Sequence, residues 1–246
     1  MNNVHQNRGE HEINHGKKLA QNDPELIWGW GTLAGKIRAN RRADWITQSA
    51  KLTPDKRVLE IGCGTGLFTE LFARSGAQII AVDISEDLLS IARAKNLPED
   101  RVMFMRKRFE ECDIDGPFDA VIGSSILHHL DIKPALAKIK ELLKPGGIMS
   151  FAEPNMLNPI IMFQSHVPAM RRAFGYSPDE MAFTRWKLKQ YLEETGFSRI
   201  KIIPRDWLYP STPSGMIKII QIIETYFEQI PVLREIAGSV YIQATA

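Results

Sequence analysis

Nine residues, Val58-Leu59-Glu60-Ile61-Gly62-Cys63-Gly64-Thr65-Gly66, set a short apolar run directly against three glycines. Glycines permit a tight turn and bring the backbone close to a ligand, and free N–H groups at the start of a following helix favour an anionic group. A simple strand-to-helix turn explains one glycine; three point to a ligand-binding loop. Asp83 closes the next apolar run, Ile79-Ile80-Ala81-Val82. An acid at that place accepts both hydroxyls of a ribose. Ser85 is the better cap for the helix after it, which leaves Asp83 for the ligand. Dinucleotide folds need Gly or Ala at the sixth position of the glycine signature, where helix packs on strand. Here Leu67 stands there, which argues against a nicotinamide or flavin dinucleotide.

Other residues carry chemistry with a plainer reading beside it. His128 and His129 follow the fourth apolar run. A neutral imidazole removes a proton from a hydroxyl near working pH, while the alternative is one histidine capping the loop and the other packed or solvated. The basic clusters Lys36, Arg38, Arg41 and Arg42, then Arg106 to Arg108, read as solvated faces. Arg171 and Arg172 lie in an insertion, where paired guanidiniums suit an acidic or phosphorylated acceptor. Met216 to Ile230 has a helical apolar stripe, read first as a helix packing on its own domain and second as a wall for an apolar acceptor. Glu224 and Glu228 argue against a membrane-surface helix. His5, His11 and His15 sit in a polar N-terminal stretch with no implied scaffold, and no Cys/His spacing suggests a metal site.

Alternating elements must position these groups. Strands are expected at Val58–Ile61, Gln78–Val82, Val102–Met105, Phe118–Gly123 and Ile148–Ala152, with helices at Gly66–Arg74, Glu86–Ala94 and Lys133–Leu143 between them. That rhythm implies right-handed βαβ units and a doubly wound, mostly parallel α/β sheet. A helix at Thr184–Thr195 and strands at Arg199–Ile203 and Ser239–Ala244 bring the sheet to seven. Residues 1–53 read as an N-terminal arm, mobile to about Gln21, and a cap helix that Thr32 starts; residues 54–246 form the main domain, with insertions at about 154–182 and 204–238 that cover the ligand edge.

Composition narrows the class. The chain has 246 residues, 44% hydrophobic and 24% charged, which is ordinary for a globular domain. A net charge of +2 gives no reason to expect nucleic acid as a partner. Two cysteines, Cys63 and Cys112, cannot form a disulfide framework, and no signal peptide or membrane-length apolar stretch occurs, so a cytoplasmic protein is expected. A homodimer is an open expectation.

VLEIGCGTG, then Asp83, then FDAVIGSSILHHLD, then LLKPGG resembles the class I S-adenosylmethionine-dependent methyltransferases, above all the small-molecule group related to ubiquinone-biosynthesis enzymes. The likeness covers roughly Arg57 to Ala152 in order and spacing. It implies a Rossmann-like methyltransferase fold and S-adenosylmethionine as cofactor, with S-adenosylhomocysteine as product. By the same likeness Gly62, Cys63, Gly64 and Gly66 surround the methionine moiety, Glu60 holds its ammonium directly or through water, and Asp83 takes the ribose hydroxyls. Ile84 lies against the adenine, and Ser124 and Ser125 beside the methionine portion. Where the family often has an acid for the adenine amine, this chain has Arg108, so that contact falls to the Phe109 backbone or to Glu110. Trp28 and Trp30 either close over the cofactor, favouring its cationic sulfur, or anchor the arm to the core. The reaction implied is direct displacement onto a small-molecule acceptor, without metal or covalent intermediate. Two rival readings stand beside it: a cofactor-binding but inactive subunit that stabilises or regulates a partner, and a nicotinamide-dependent oxidoreductase, which Leu67 disfavours.

Overall fold

Consecutive strand residues point to opposite faces of a sheet, and the central strands here are apolar on both. Leu59, Ile61, Val82, Val121 and Phe151 join one buried cluster, while Val58, Ile79, Ala81, Ala120 and Ile122 join another. A sheet buried on both sides must carry helices on both sides. The computed structural model, which describes residues 2–111, 113–173 and 183–246, has that form.

In chain order the elements are α1 (Asn2–Ala20), α2 (Pro24–Ile27), α3 (Leu33–Ser49), β1 (Arg57–Ile61), α4 (Leu67–Ala73), β2 (Gln78–Asp83), α5 (Glu86–Arg93), β3 (Val102–Arg106), β4 (Phe118–Ser124), α6 (Ile132–Leu142), β5 (Leu143–Pro154), α7 (Pro159–His166), α8 (Pro168–Ala173), α9 (Arg185–Glu194), β6 (Ser198–Arg205), α10 (Ile217–Phe227), α11 (Pro231–Arg234) and β7 (Ser239–Thr245). The seven strands lie in the order β3-β2-β1-β4-β5-β7-β6. β7 pairs antiparallel with β5 and β6, and the pairings from β3 to β5 are parallel. The fold is a Rossmann-like, mostly parallel seven-stranded sheet. Side-chain caps start the helices where the sequence places them: Thr32 accepts from Gly35 N–H and Ser85 from Leu88 N–H.

Three expectations are corrected. The N-terminal stretch, expected as a mobile arm, is the helix α1, whose polar composition offers no apolar period to read. It lies against α5, so closely that a side chain at Gly16 would strike Ser85. Arg42 is not on a solvated face; it is 2% exposed. The stripe on α10 faces outward: Ile217 and Glu224 are buried, whereas Met216, Ile219, Ile223, Tyr226 and Ile230 are exposed. Charge decides that orientation, because Arg41 on α3 forms ion pairs with both Glu224 and Glu228. Among the described residues no helix is long and apolar enough to cross a membrane.

Phe72 of α4, fully buried between helix and sheet, is a measure of this core. Phe72→Ala is expected to destabilise the protein by about 3–5 kcal/mol in urea unfolding, and Val232→Ala, at a residue 79% exposed, by less than about 0.5 kcal/mol.

Candidate active site

From β1 the chain builds outward to β2 and β3, then returns to the other side of β1 for β4. Where a sheet reverses in this way, a crevice opens beyond the carboxyl ends of the strands. A cavity of about 1140 Å³ occupies it here.

The loop after β1 forms one wall. Gly62, Gly64 and Gly66 have φ of 66°, 52° and 73°, the left-handed region that favours glycine. A Cβ on Gly62 would lie 2.3 Å from the Ile126 side chain, so the first glycine is required by close approach as well as by backbone shape. Asp83 fixes this loop: its Oδ2 accepts from Gly64 N–H at 2.8 Å and its Oδ1 from Ser85 N–H at 2.9 Å. Burial pushes the Asp83 carboxyl above its ordinary value, against the pull of those two N–H groups. Each oxygen keeps acceptor capacity, and the residue lines the cavity, as Cys63 and Ile84 do.

Glu60 is 1% exposed and stands outside the cavity lining, on the strand that feeds the loop. Burial raises its pKa to about 8, the Thr69 hydroxyl opposing the rise and the Asp83 charge adding to it. Its Oε2 has no hydrogen-bond partner. The site also holds two cations that the sequence reading places on the surface. Arg42 donates to Asp206, Ser125 and Ser239, and more distantly to Ser124 at 3.4 Å. Arg38 stacks on the Trp30 ring at 5.2 Å, and its buried Nε lacks a partner. Both line the cavity. A period-based reading finds no apolar stripe on α3 that would mark its inner face; the only sequence signal is the proximity of Arg38 and Arg42 to the tryptophans. Trp30 is 8% exposed and meets Phe68 edge to face at 5.4 Å, so it anchors α3 to the core. Trp28 instead faces the glycine loop, with its ring over Gly64.

The loop after β4 forms the facing wall. Ser125 has φ of 57°, and a 3₁₀ turn follows at Leu127–His129. Glu153 of β5, fully buried, pins it: Oε1 accepts from the Ile126 and Leu127 N–H groups at 2.9 and 3.0 Å, and Oε2 lies 2.6 Å from His128 Nδ1. Burial opposes ionisation of Glu153, but the His128 bond and the two N–H groups outweigh it and hold the carboxyl below its ordinary value. His128 lines the cavity, and its ring centroid is 4.3 Å from that of His129. Nothing in the sequence pattern marks Glu153, since an acid at a strand end is commonplace. His129 pairs at 3.2 Å with Glu12, which brings α1 over the site together with Arg8 and His15.

Arg108 turns to Glu110 and Glu111, with Gly9 of α1 packed on its guanidinium; Phe109 and Glu110 line the cavity. Arg171 lines the cavity and donates to the Ser165 carbonyl, whereas the side chain of Arg172 lies outside the described residues. Among those residues no cluster of His, Cys, Asp and Glu has the form of a metal site.

Residues 58–147 match the family model described as a methyltransferase domain. Over those residues the chain is similar to methyltransferases. Its sequence is similar to the ubiquinone biosynthesis O-methyltransferase of Xanthomonas campestris pv. campestris, 35% identical over 118 residues, 46% of this chain and 49% of the relative. The corresponding enzyme of Aromatoleum aromaticum is 36% identical over 118 residues, 46% and 50% of the two chains. The chain thus spans about half the length of the curated relatives it matches. In structure the domain is similar to a SAM-dependent methyltransferase of Thermotoga maritima, at TM-score 0.64 and 19% identity over 94% of this chain and 99% of the other. It is also similar to magnesium protoporphyrin IX methyltransferase of Synechocystis with bound S-adenosylhomocysteine, at TM-score 0.64 and 16% identity over 97% and 99%. These likenesses establish the fold.

The buried Glu60 gives a pH signature. Its folded-state pKa, about 8, lies above the unfolded value, so its stabilising contribution is present in acid and is lost as pH rises toward and through 8. Glu60→Gln removes that loss. The variant is expected to gain on the wild type from about pH 5 upward, levelling above pH 8 at a gain on the order of a few kcal/mol, read from urea unfolding across pH.

Proposed function

We propose that this protein transfers a methyl group from S-adenosylmethionine to a small-molecule acceptor with an apolar body, by direct displacement. The observation that carries the reading is one cavity with two kinds of lining: the positive-φ glycine loop and Asp83, and the apolar side chains of Met156, Ile160, Ile161 and Leu208.

The residues present fit the cofactor on three counts. The glycine loop is a cradle that a Cβ would fill, Glu60 offers an unpartnered buried carboxyl oxygen, and Arg38 an unpartnered buried N–H. Asp83 would accept the ribose hydroxyls with its spare lone pairs. Arg42 is paired with Asp206, and Arg38 feels the same carboxylate through space, so the two cations together leave a positive field suited to the amino-acid carboxylate. Glu60 would answer the ammonium across the loop. Bound S-adenosylmethionine supplies a methyl carbon already activated by a sulfonium. The protein's share of the work is therefore alignment and exclusion of water, for which Trp28 and α1 close the cavity above the glycine loop.

Two measurements test this. Asp83→Asn is expected to weaken S-adenosylhomocysteine binding at least about tenfold in calorimetry, because a carboxamide has one acceptor oxygen for loop and ribose together. Glu60 is protonated at pH 7 in the free protein and would ionise on meeting an ammonium, so binding should release a proton. Calorimetry in buffers of different ionisation enthalpy reads that release, and Glu60→Gln should abolish it. Absence of any affinity for both the methyl donor and its demethylated product would refute the proposal.

A further inference from the structure

We infer that Glu25 is the positioning residue that seats Trp28 on the glycine loop, and that its contact with Thr65 and Lys95 is a clasp whose opening sets the lifetime of bound cofactor. The inference rests on the methyl-transfer reading above and adds to it a means of cofactor retention and the side chains that form it.

The helix α2 is a single turn, and a helix that short does not persist in water by itself. Packing gives it little. Pro24 is its only fully buried residue, and Leu26 and Ile27 are 56% and 43% exposed. Asp23 caps it by accepting from Leu26 N–H, which fixes its start but ties it to no other element. Glu25 makes the link. Its Oε1 accepts from the Thr65 hydroxyl at 3.1 Å and from Lys95 Nζ at 3.2 Å. Thr65 is 1% exposed, so its hydroxyl needs that acceptor. Residues three apart lie on one side of a helical turn. Glu25 and Trp28 are so spaced, and their partners are adjacent in the glycine loop: Glu25 meets Thr65, and the Trp28 ring lies over Gly64. Docking the carboxylate therefore delivers the indole. Trp30 needs no such help, being held by Phe68 and by the Arg38 and Arg42 guanidiniums.

Lys95 decides whether the clasp is shut. It stands just beyond α5, and its ammonium also reaches Glu70 of α4 at 3.3 Å, so one cation holds two carboxylates together. Without it those carboxylates would face each other and push α2 away from the loop. The side chains of Glu25, Lys95 and Glu70 are 27%, 21% and 44% exposed. Ion pairs this open to water are weak and are screened by salt. Weakness suits a clasp, which must release product at each turnover, better than it suits a fixed strut.

The test follows dissociation of S-adenosylhomocysteine from the full chain by surface plasmon resonance, with urea unfolding alongside. Glu25→Gln should speed dissociation about three- to fivefold, the weight of one partly exposed ion pair, with the urea midpoint hardly moved. Lys95→Met should speed it further, and adding Glu70→Gln to that variant should bring the rate back to the Glu25→Gln level, because the repulsion is then gone. Trp28→Ala should speed dissociation and make Glu25→Gln silent when the two are combined, since the carboxylate acts through the indole. Added salt should hasten release from the wild type and leave Glu25→Gln unmoved. Equal rates for wild type and Glu25→Gln overturn the inference, as does a full effect of Glu25→Gln in the Trp28→Ala background. A drop in the urea midpoint that accounts for the faster release also overturns it, by making Glu25 a structural support alone. Failure of the wild type to bind S-adenosylhomocysteine would instead refute the underlying methyl-transfer reading, and the two failures are thereby told apart.

Discussion

Both loops that face each other across the switch point of the sheet are held by a carboxylate from the next strand, through backbone N–H groups. Asp83 of β2 grips the loop after β1 at Gly64; Glu153 of β5 grips the loop after β4 at Ile126 and Leu127. The device solves a common problem. Loops at a crevice must leave some N–H groups without partners from the sheet, and an unpaired buried N–H is costly. A carboxylate satisfies those groups through charge-assisted bonds and fixes the loop. In each case capacity remains toward the cavity: spare lone pairs on Asp83, and an oriented imidazole beside Glu153. Since β1 and β4 are neighbours in the sheet, the distance between the two walls is set by hydrogen-bonded strands.

The walls are joined behind by a buried arginine. Arg42 on α3 reaches the ends of three strands: Ser124 of β4, Asp206 just past β6 and Ser239 of β7. Asp206 also accepts from Tyr241 at 2.9 Å, and Arg42 lies 4.9 Å from the Trp30 ring. A buried ion pair is weak evidence for stability, since desolvation takes back much of the attraction. Its value here is geometric. A planar guanidinium satisfied on several sides holds α3, and the tryptophans before it, at a fixed height above the strand ends.

This explains which parts can be read from the chain and which cannot. Strands β1 to β5, the glycine loop and Asp83 announce themselves locally, because the signal of each lies in adjacent residues: an apolar run, then glycines or an acid. Glu153 acquires its meaning from His128, 25 residues away, and Arg42 from Asp206, 164 residues away, so neither has a local signature. α1 escapes for another reason. It packs through glycines and polar side chains over a crevice, and apolar periodicity registers only helices that pack on a core. On α10 the period is legible but misleading: Arg41 turns Glu224 and Glu228 inward, and isoleucines of the apolar stripe take the outside.

The apolar part of the cavity follows different rules. Its walls come from the segments after β5 and β6, and two buried asparagines rivet these together. Asn155 donates to the carbonyls of Glu235 and Ala237, and Asn158 donates to that of Ile236. The Asn158 carbonyl oxygen meanwhile caps α7 at Ile160 and Ile161 and accepts from the Tyr209 hydroxyl. Every bond on the main chain uses atoms that any side chain at those positions would keep. Met156, Ile160, Ile161 and Leu208 can therefore change in size without disturbing the rivets, Asp83 or Glu153. Asp83 and Glu153 are placed by the sheet, whereas the apolar part of the cavity takes its shape from side chains mounted on a frame that does not depend on them. A local motif can report the first, and only the assembled cavity reports the second.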